Sequence, residues 1–142
     1  MNILVSACLL GVNCRYDGAG KAHPDVLALL KDHTLIPVCP EQLGGLPTPR
    51  PPAERVEEQV VTNRGGDVTA AFQTGARETL RLAELTGCTC AVLKARSPSC
   101  GSDGVYDGAF TGRVVPGDGV TAALLREHGI RVVSEENLPD LE

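Results

Sequence analysis

The hydrophobic positions of the chain fall into short aliphatic runs that alternate with helical stripes. Residues 2–7 are such a run, of strand length, and residues 9–20 then read as a long turn-rich loop closed by Asp17-Gly18-Ala19-Gly20. His23-Pro24-Asp25 precedes Val26, Leu29 and Leu30 at helical spacing, which predicts a short helix to about Asp32, with Pro24 tolerated in its first turn. Residues 34–39 form the second expected strand. Residues 40–53 hold five prolines and two glycines and predict a stiff loop without regular structure, or a linker between halves.

A short strand pair is expected around residues 57–62, followed by the turn Asn63-Arg64-Gly65-Gly66 and by Asp67 as an N-cap. The clearest periodicity comes next. Val68, Ala71, Phe72, Gly75, Ala76, Thr79, Leu80 and Ala83 share one helical stripe, Arg77, Glu78, Arg81 and Glu84 lie off it, and Gly87 stands where the helix should stop. Residues 88–95 give a third strand and residues 104–115 an interrupted segment. Asp118 is expected to cap a helix over residues 120–128, Gly129 to end it, and residues 130–134 to form a fourth strand. Strands alternating with helices argue for parallel pairing through right-handed crossovers. The expectation is a single three-layer α/β domain over residues 1–142, Rossmann-like or flavodoxin-like, with a mainly parallel sheet.

Composition sharpens this picture in two respects. The chain has 142 residues with only two Phe, two Tyr and no Trp, so its core must be aliphatic. A net charge of −5 argues against a nonspecific grip on nucleic acid, which needs clustered cations. The N-terminal apolar run lacks a basic n-region and is too short for a signal peptide, and nothing approaches membrane-spanning length, so a soluble cytoplasmic protein without a membrane partner is expected. In a reducing compartment a disulfide framework would not persist, so the six cysteines, Cys8, Cys14, Cys39, Cys88, Cys90 and Cys100, direct attention to metal or thiol chemistry.

Cys8, Cys39 and Cys100 each fall at or just past the carboxyl end of an expected strand, where ligands collect in parallel α/β sheets. No close Cys or His pairs of structural-zinc spacing accompany them, and His23, His33 and His128 show no ligand spacing. Three thiolates on a cubane, with the fourth iron left open as a Lewis acid, suit the pattern better. Gly11, Gly101 and Gly104 would let backbone approach closely, and Ser97 and Ser99 would offer hydroxyls. Other readings stay open: each thiol as a small buried hydrophobe, a metal-binding carrier or sensor without catalysis, or a redox protein using Cys8 with Cys14 or Cys88 with Cys90. Cys88 and Cys90 are expected to share one face of a strand, a placement that suits disulfide geometry poorly. Cys14, in the loop, admits several roles: a fourth ligand, a resolving thiol or an exposed side chain.

Three motifs in order carry a resemblance over nearly the whole chain: Val5-Ser6-Ala7-Cys8-Leu9-Leu10-Gly11 with Cys14-Arg15-Tyr16-Asp17-Gly18; residues 37–50, Pro-Val-Cys-Pro-Glu-Gln-Leu-Gly-Gly-Leu-Pro-Thr-Pro-Arg; and Arg96-Ser97-Pro98-Ser99-Cys100-Gly101. The sequence resembles the DUF523 family of thiouracil desulfidases. The resemblance implies a [4Fe–4S] cluster on Cys8, Cys39 and Cys100 that removes sulfur from a small thiolated pyrimidine, of the 2- or 4-thiouracil type, without net redox change. Glu41, two residues past Cys39, is then the expected proton-transfer group, with Ser97 or Ser99 orienting the ring or relaying a proton. Tyr16 is expected to stack on the base, and Arg50 and Lys94 to contact an anion or carbonyl.

Overall fold

The computed structural model describes residues 1–138. Its centre is a four-stranded parallel sheet in the order β2-β1-β5-β8, formed by β2 (Thr34–Val38), β1 (Asn2–Ser6), β5 (Cys90–Leu93) and β8 (Arg131–Ser134). In register, Ile3 pairs with both Leu35 and Cys90, and Cys90 with Arg131. The inner strands β1 and β5 are continuous apolar runs because both of their faces are covered. Ile3, Val5, Cys90 and Val92 pack on one side with Leu9, Val26 and Leu35, while Leu4, Ala91 and Leu93 pack on the other with Ala83, Ala122 and Leu125. Pro37 is accommodated because β2 is an edge strand, where a missing N–H costs little.

The first side is covered by α1 (Pro24–Ala28), extended by a 3₁₀ turn at Leu29–Lys31; the second is covered by α3 (Thr69–Leu85) and α4 (Val120–Glu127). From β1 the chain turns outward to β2, then crosses back over the opposite face to β5 and β8. The crevice where this order reverses lies between the carboxyl ends of β1 and β5, the usual ligand position in such sheets. There the Lys94 N–H donates to Ser6 Oγ at 2.9 Å. Two small antiparallel pairs, β3 (Ala53–Val56) with β4 (Gln59–Thr62) and β6 (Val105–Tyr106) with β7 (Val114–Val115), sit beside this end.

The α/β class and parallel sheet agree with the sequence reading, but several local details differ. β1 ends at Ser6, and Cys8 lies in a 3₁₀ turn, Ala7–Leu10, closed by Gly11 at φ +95°. Residues 40–53 are not wholly irregular: Pro40–Leu43 forms one helical turn, α2, because Pro40 occupies its first position, where proline fits a helix. The β3–β4 pair begins at Ala53, several residues before the expected start. Asp67 accepts the Thr69 N–H at 2.9 Å, as a cap would, although the residue bordering the helix is Val68. Asp118 does not cap α4; Gly119 does, and the Asp118 carboxylate takes the Arg126 guanidinium at 3.0 Å instead. Cys88 precedes β5, so it packs in the second layer and Cys90 in the first; the two do not share a face.

Among the described residues no helix is long and apolar enough to cross a membrane.

Candidate functional site

A cavity of about 520 Å³ opens at the crevice between β1 and β5, within the size range of small-molecule sites. Cys8, Cys39 and Cys100 line it, each delivered by the turn that follows a different strand. Cys14 lines it too and is only 2 % exposed, so it is not a mobile surface thiol. The loop that carries it folds back onto the sheet end: the Lys21 N–H donates to the Cys8 carbonyl at 2.8 Å and the His23 N–H to the Leu9 carbonyl at 2.9 Å. Cys39 Sγ lies 3.6 Å from the Cys14 carbonyl oxygen. Nothing in hydrophobic periodicity signals these returns; the turn residues around Gly18 were the available hint.

All six cysteines are free. Burial pushes the Cys8 thiol up to about 11 and Cys14 up to about 12, and neighbouring cysteines push both in the same direction. Lys94 opposes the rise at Cys8 and Arg50 that at Cys14. Burial raises Cys100 as well, with smaller upward contributions from Glu41, Cys8 and Cys39 and a lowering hydrogen bond from Ser6. These sulfurs therefore sense one another across the cavity, and metal binding must displace their protons. Among the described residues no three His, Cys, Asp or Glu side chains converge as ligands of a single ion would. Ligands of a cubane stand on separate irons, so this spacing disfavours a mononuclear ion and remains compatible with a cluster.

Glu41 occupies α2, one wall of the cavity. Its Oε2 accepts Arg50 Nε at 2.7 Å. Arg50 also donates through Nη1 to Thr48 Oγ1 at 3.0 Å and the Pro47 carbonyl at 3.2 Å, and through Nη2 to the Cys14 carbonyl at 3.0 Å. Although Arg50 borders the cavity, its donors are directed into the protein, where they join Glu41, the proline-rich loop and the Cys14 loop. The placement of α2 depends on glycine, because a Cβ on Gly75 of α3 would overlap the Pro40 carbonyl and one on Gly44 would overlap the Ala71 carbonyl.

Ser97 lines the cavity, and its Oγ accepts the N–H groups of Ser99 at 3.1 Å and Cys100 at 3.0 Å, which fixes the loop that presents Cys100. Ser99 does not line it. That hydroxyl turns inward to Thr121 Oγ1 at 2.8 Å, beneath the close approach of Gly119, and Ser99 is buried, so it is not among the residues brought together at the cavity. Tyr16 lines the cavity and is 41 % exposed. Lys94, the other cation expected to contact the ligand, lines the cavity with its Nζ engaged by Glu135 Oε2 at 3.1 Å; sequence reasoning passed over Glu54, a buried carboxylate on β3 that also lines it.

A parallel α/β sheet with a thiol-lined cavity at its switch point is the architecture in which α/β proteins place a small-molecule site. The chain belongs to the 2-thiouracil desulfurase family, whose model matches residues 3–137. It is similar to the [4Fe-4S]-dependent thiouracil desulfidase TudS (DUF523Vcz), with a TM-score of 0.93 and 52 % identity, over 99 % of this chain and 94 % of that one. It is also 42 % identical, over 98 % of its length and 99 % of the relative's, to the uncharacterized protein YbbK of Bacillus subtilis (strain 168).

Proposed function

We propose that this protein is a [4Fe–4S]-dependent desulfidase that hydrolyses the thione of a small thiolated pyrimidine, of the 2- or 4-thiouracil type. Carbon–sulfur and water O–H bonds break, a carbonyl forms, and sulfur leaves as hydrosulfide with no net change of oxidation state. The observation that carries this reading is the meeting, on one cavity at three neighbouring strand ends, of Cys8, Cys39 and Cys100 with the carboxylate of Glu41. Family membership and the likeness to TudS support it.

Cys8, Cys39 and Cys100 would hold the cluster. When bound, it supplies an open Lewis-acidic iron for the thione sulfur. Glu41, fixed by Arg50, accepts a proton from the attacking water and returns one to the leaving sulfur or ring nitrogen. Since Ser97 Oγ already accepts two backbone N–H groups, its own hydrogen is available to donate into the cavity, where it orients a polar edge of the ring. Arg50, with its donors engaged by the protein, acts by positioning Glu41 and not on the substrate. The apolar shell of the crevice excludes bulk water and strengthens these contacts.

Anaerobic reconstitution with iron and sulfide, followed by turnover of 2- and 4-thiouracil, tests the proposal. Loaded protein is expected to release uracil and hydrosulfide. Glu41→Ala is expected to keep its iron, sulfide and visible absorption while losing turnover by about 10²-fold or more. Wild-type-like turnover in Glu41→Ala would remove the carboxylate from the mechanism.

A further inference from the structure

The chain has only four aromatic side chains, two Phe and two Tyr, and all of them line the thiol-bearing cavity: Tyr16, Phe72, Tyr106 and Phe110. Phe72 is buried on α3, and Tyr16, Tyr106 and Phe110 are at least partly exposed at the cavity; none of the four is among the residues of the two apolar clusters that flank the sheet. Aromatic rings are effective core fillers, yet here both layers are aliphatic and the rings gather where a ligand would sit.

Phe110 is the most specifically placed of them. It is 36 % exposed and has φ +58°, a conformation that is unfavourable for a side chain of its bulk and that persists only where surrounding structure imposes it. The imposing group is Glu54. One carboxylate oxygen of this buried residue accepts the N–H of Gly108 at 3.0 Å and of Phe110 at 3.2 Å. Gly108, at φ +95°, lies so close to β3 that a Cβ there would come within 2.9 Å of the Arg55 carbonyl oxygen. The turn from Asp107 to Phe110 is thus pinned to β3, with the ring at the cavity.

We propose that Phe110 is the surface on which the substrate's planar heteroaromatic ring stacks, and that Glu54 is the positioning residue that holds Phe110 there. This rests on the desulfidase reading and deepens it, since it selects thiones set in a flat aromatic ring over aliphatic thioamides. A ring tethered only through its sulfur can rotate about that contact. Stacking fixes its plane and leaves its polar edge free for Ser97 and Glu41.

The test uses cluster-loaded protein and two readouts. One is the separation of KM from kcat for 4-thiouracil; the other is the dissociation constant of uracil by ligand-observed NMR, which requires neither sulfur nor turnover. Phe110→Leu is expected to raise both KM and the uracil dissociation constant about tenfold, equivalent to about 1.4 kcal/mol and in keeping with base-on-aromatic stacking. Its iron and sulfide content should stay near wild type, and Phe110→Tyr should restore affinity. Glu54→Ala should reproduce the KM effect, Glu54→Asp should move in the same direction through its shorter reach, and Glu54→Gln, which keeps an acceptor oxygen, should remain close to wild type. Wild-type KM and uracil affinity in Phe110→Leu would overturn the stacking. Affinity loss in Phe110→Leu with no effect of Glu54→Asp or Glu54→Ala would overturn the positioning role. Uracil binding that depends on Phe110, in loaded wild-type protein that turns over neither thiouracil, would uphold the stacking and sink the desulfidase reading.

Discussion

At the scale of single residues, the four thiols of the cavity do not carry equal parts. Cys8, Cys39 and Cys100 come from turns after three different strands, whereas Cys14 comes from the loop that folds over them. A cubane with one open iron needs three protein thiolates. Cys14→Ala is therefore expected to retain the full iron and sulfide complement and turnover, and alanine at Cys8, Cys39 or Cys100 to lose the cluster, as read by iron analysis and absorption after reconstitution. Loss of iron in Cys14→Ala would revise the ligand set. Local pattern pointed to Cys8, Cys39 and Cys100 because each adjoins an expected strand end, and to Ser97 in the loop beside Cys100; Glu41 was a candidate through the family resemblance. The sequence did not disclose that Cys14 is buried, that Ser99 faces Thr121 or that Arg50 reaches the Cys14 carbonyl, because each depends on segments distant in the chain coming into contact.

At the scale of elements, the placement of α2 and its carboxylate follows from two glycines. Alanine at Gly75 would press a methyl group into the Pro40 carbonyl, and backbone there has little room to yield. Overpacking of this kind costs roughly 1–3 kcal/mol or more. Gly75→Ala is expected to lower the urea midpoint accordingly and, by displacing Glu41, to depress turnover further than a purely global destabilisation would. Gly75 was read from the sequence as one more member of the helical stripe; periodicity gives the face of a helix but not its distance from a neighbour.

A second tie between elements joins the loop after Cys100 to α4. Arg126 Nη1 meets Asp103 Oδ1 at 2.9 Å, and this hydrogen bond and charge hold the Asp103 carboxyl below the usual carboxylate range. A depressed carboxylate stabilises the fold above its unfolded pKa, and that stabilisation is lost as pH falls through the folded value. Because Asp103 is largely exposed, Asp103→Asn should cost only about 0.2–1 kcal/mol near neutral pH. The gap between variant and wild type should narrow as pH falls through the carboxylate range and close once Asp103 is protonated in the folded state, in denaturation curves measured across pH. A gap that persisted in acid would show that the contribution is not ionic.

At the scale of the whole molecule, the architecture was the most legible part. Aliphatic runs of strand length alternate with helical stripes, and that pattern suffices for a parallel sheet covered on both faces. The order β2-β1-β5-β8 was not written in any local segment, because strand neighbours are chosen by crossover handedness and by which faces the helices cover. Leu4, fully buried on β1 against Ala91 and the α3 and α4 side, represents this level of organisation. Leu4→Ala should cost about 2–5 kcal/mol in equilibrium unfolding, and a near-neutral result would contradict the packing described.

The supply of the three proposed ligands from three neighbouring strands also orders events in time. Neither the first thirty residues nor the first ninety contain the complete set, and Cys100 joins the other two only when β5 has docked against β1. With those ligands, cofactor insertion would follow closure of the sheet. The inorganic core would then act as a three-way staple across long stretches of polypeptide, and its removal by a chelator would loosen the topology at the junction where the winding direction changes.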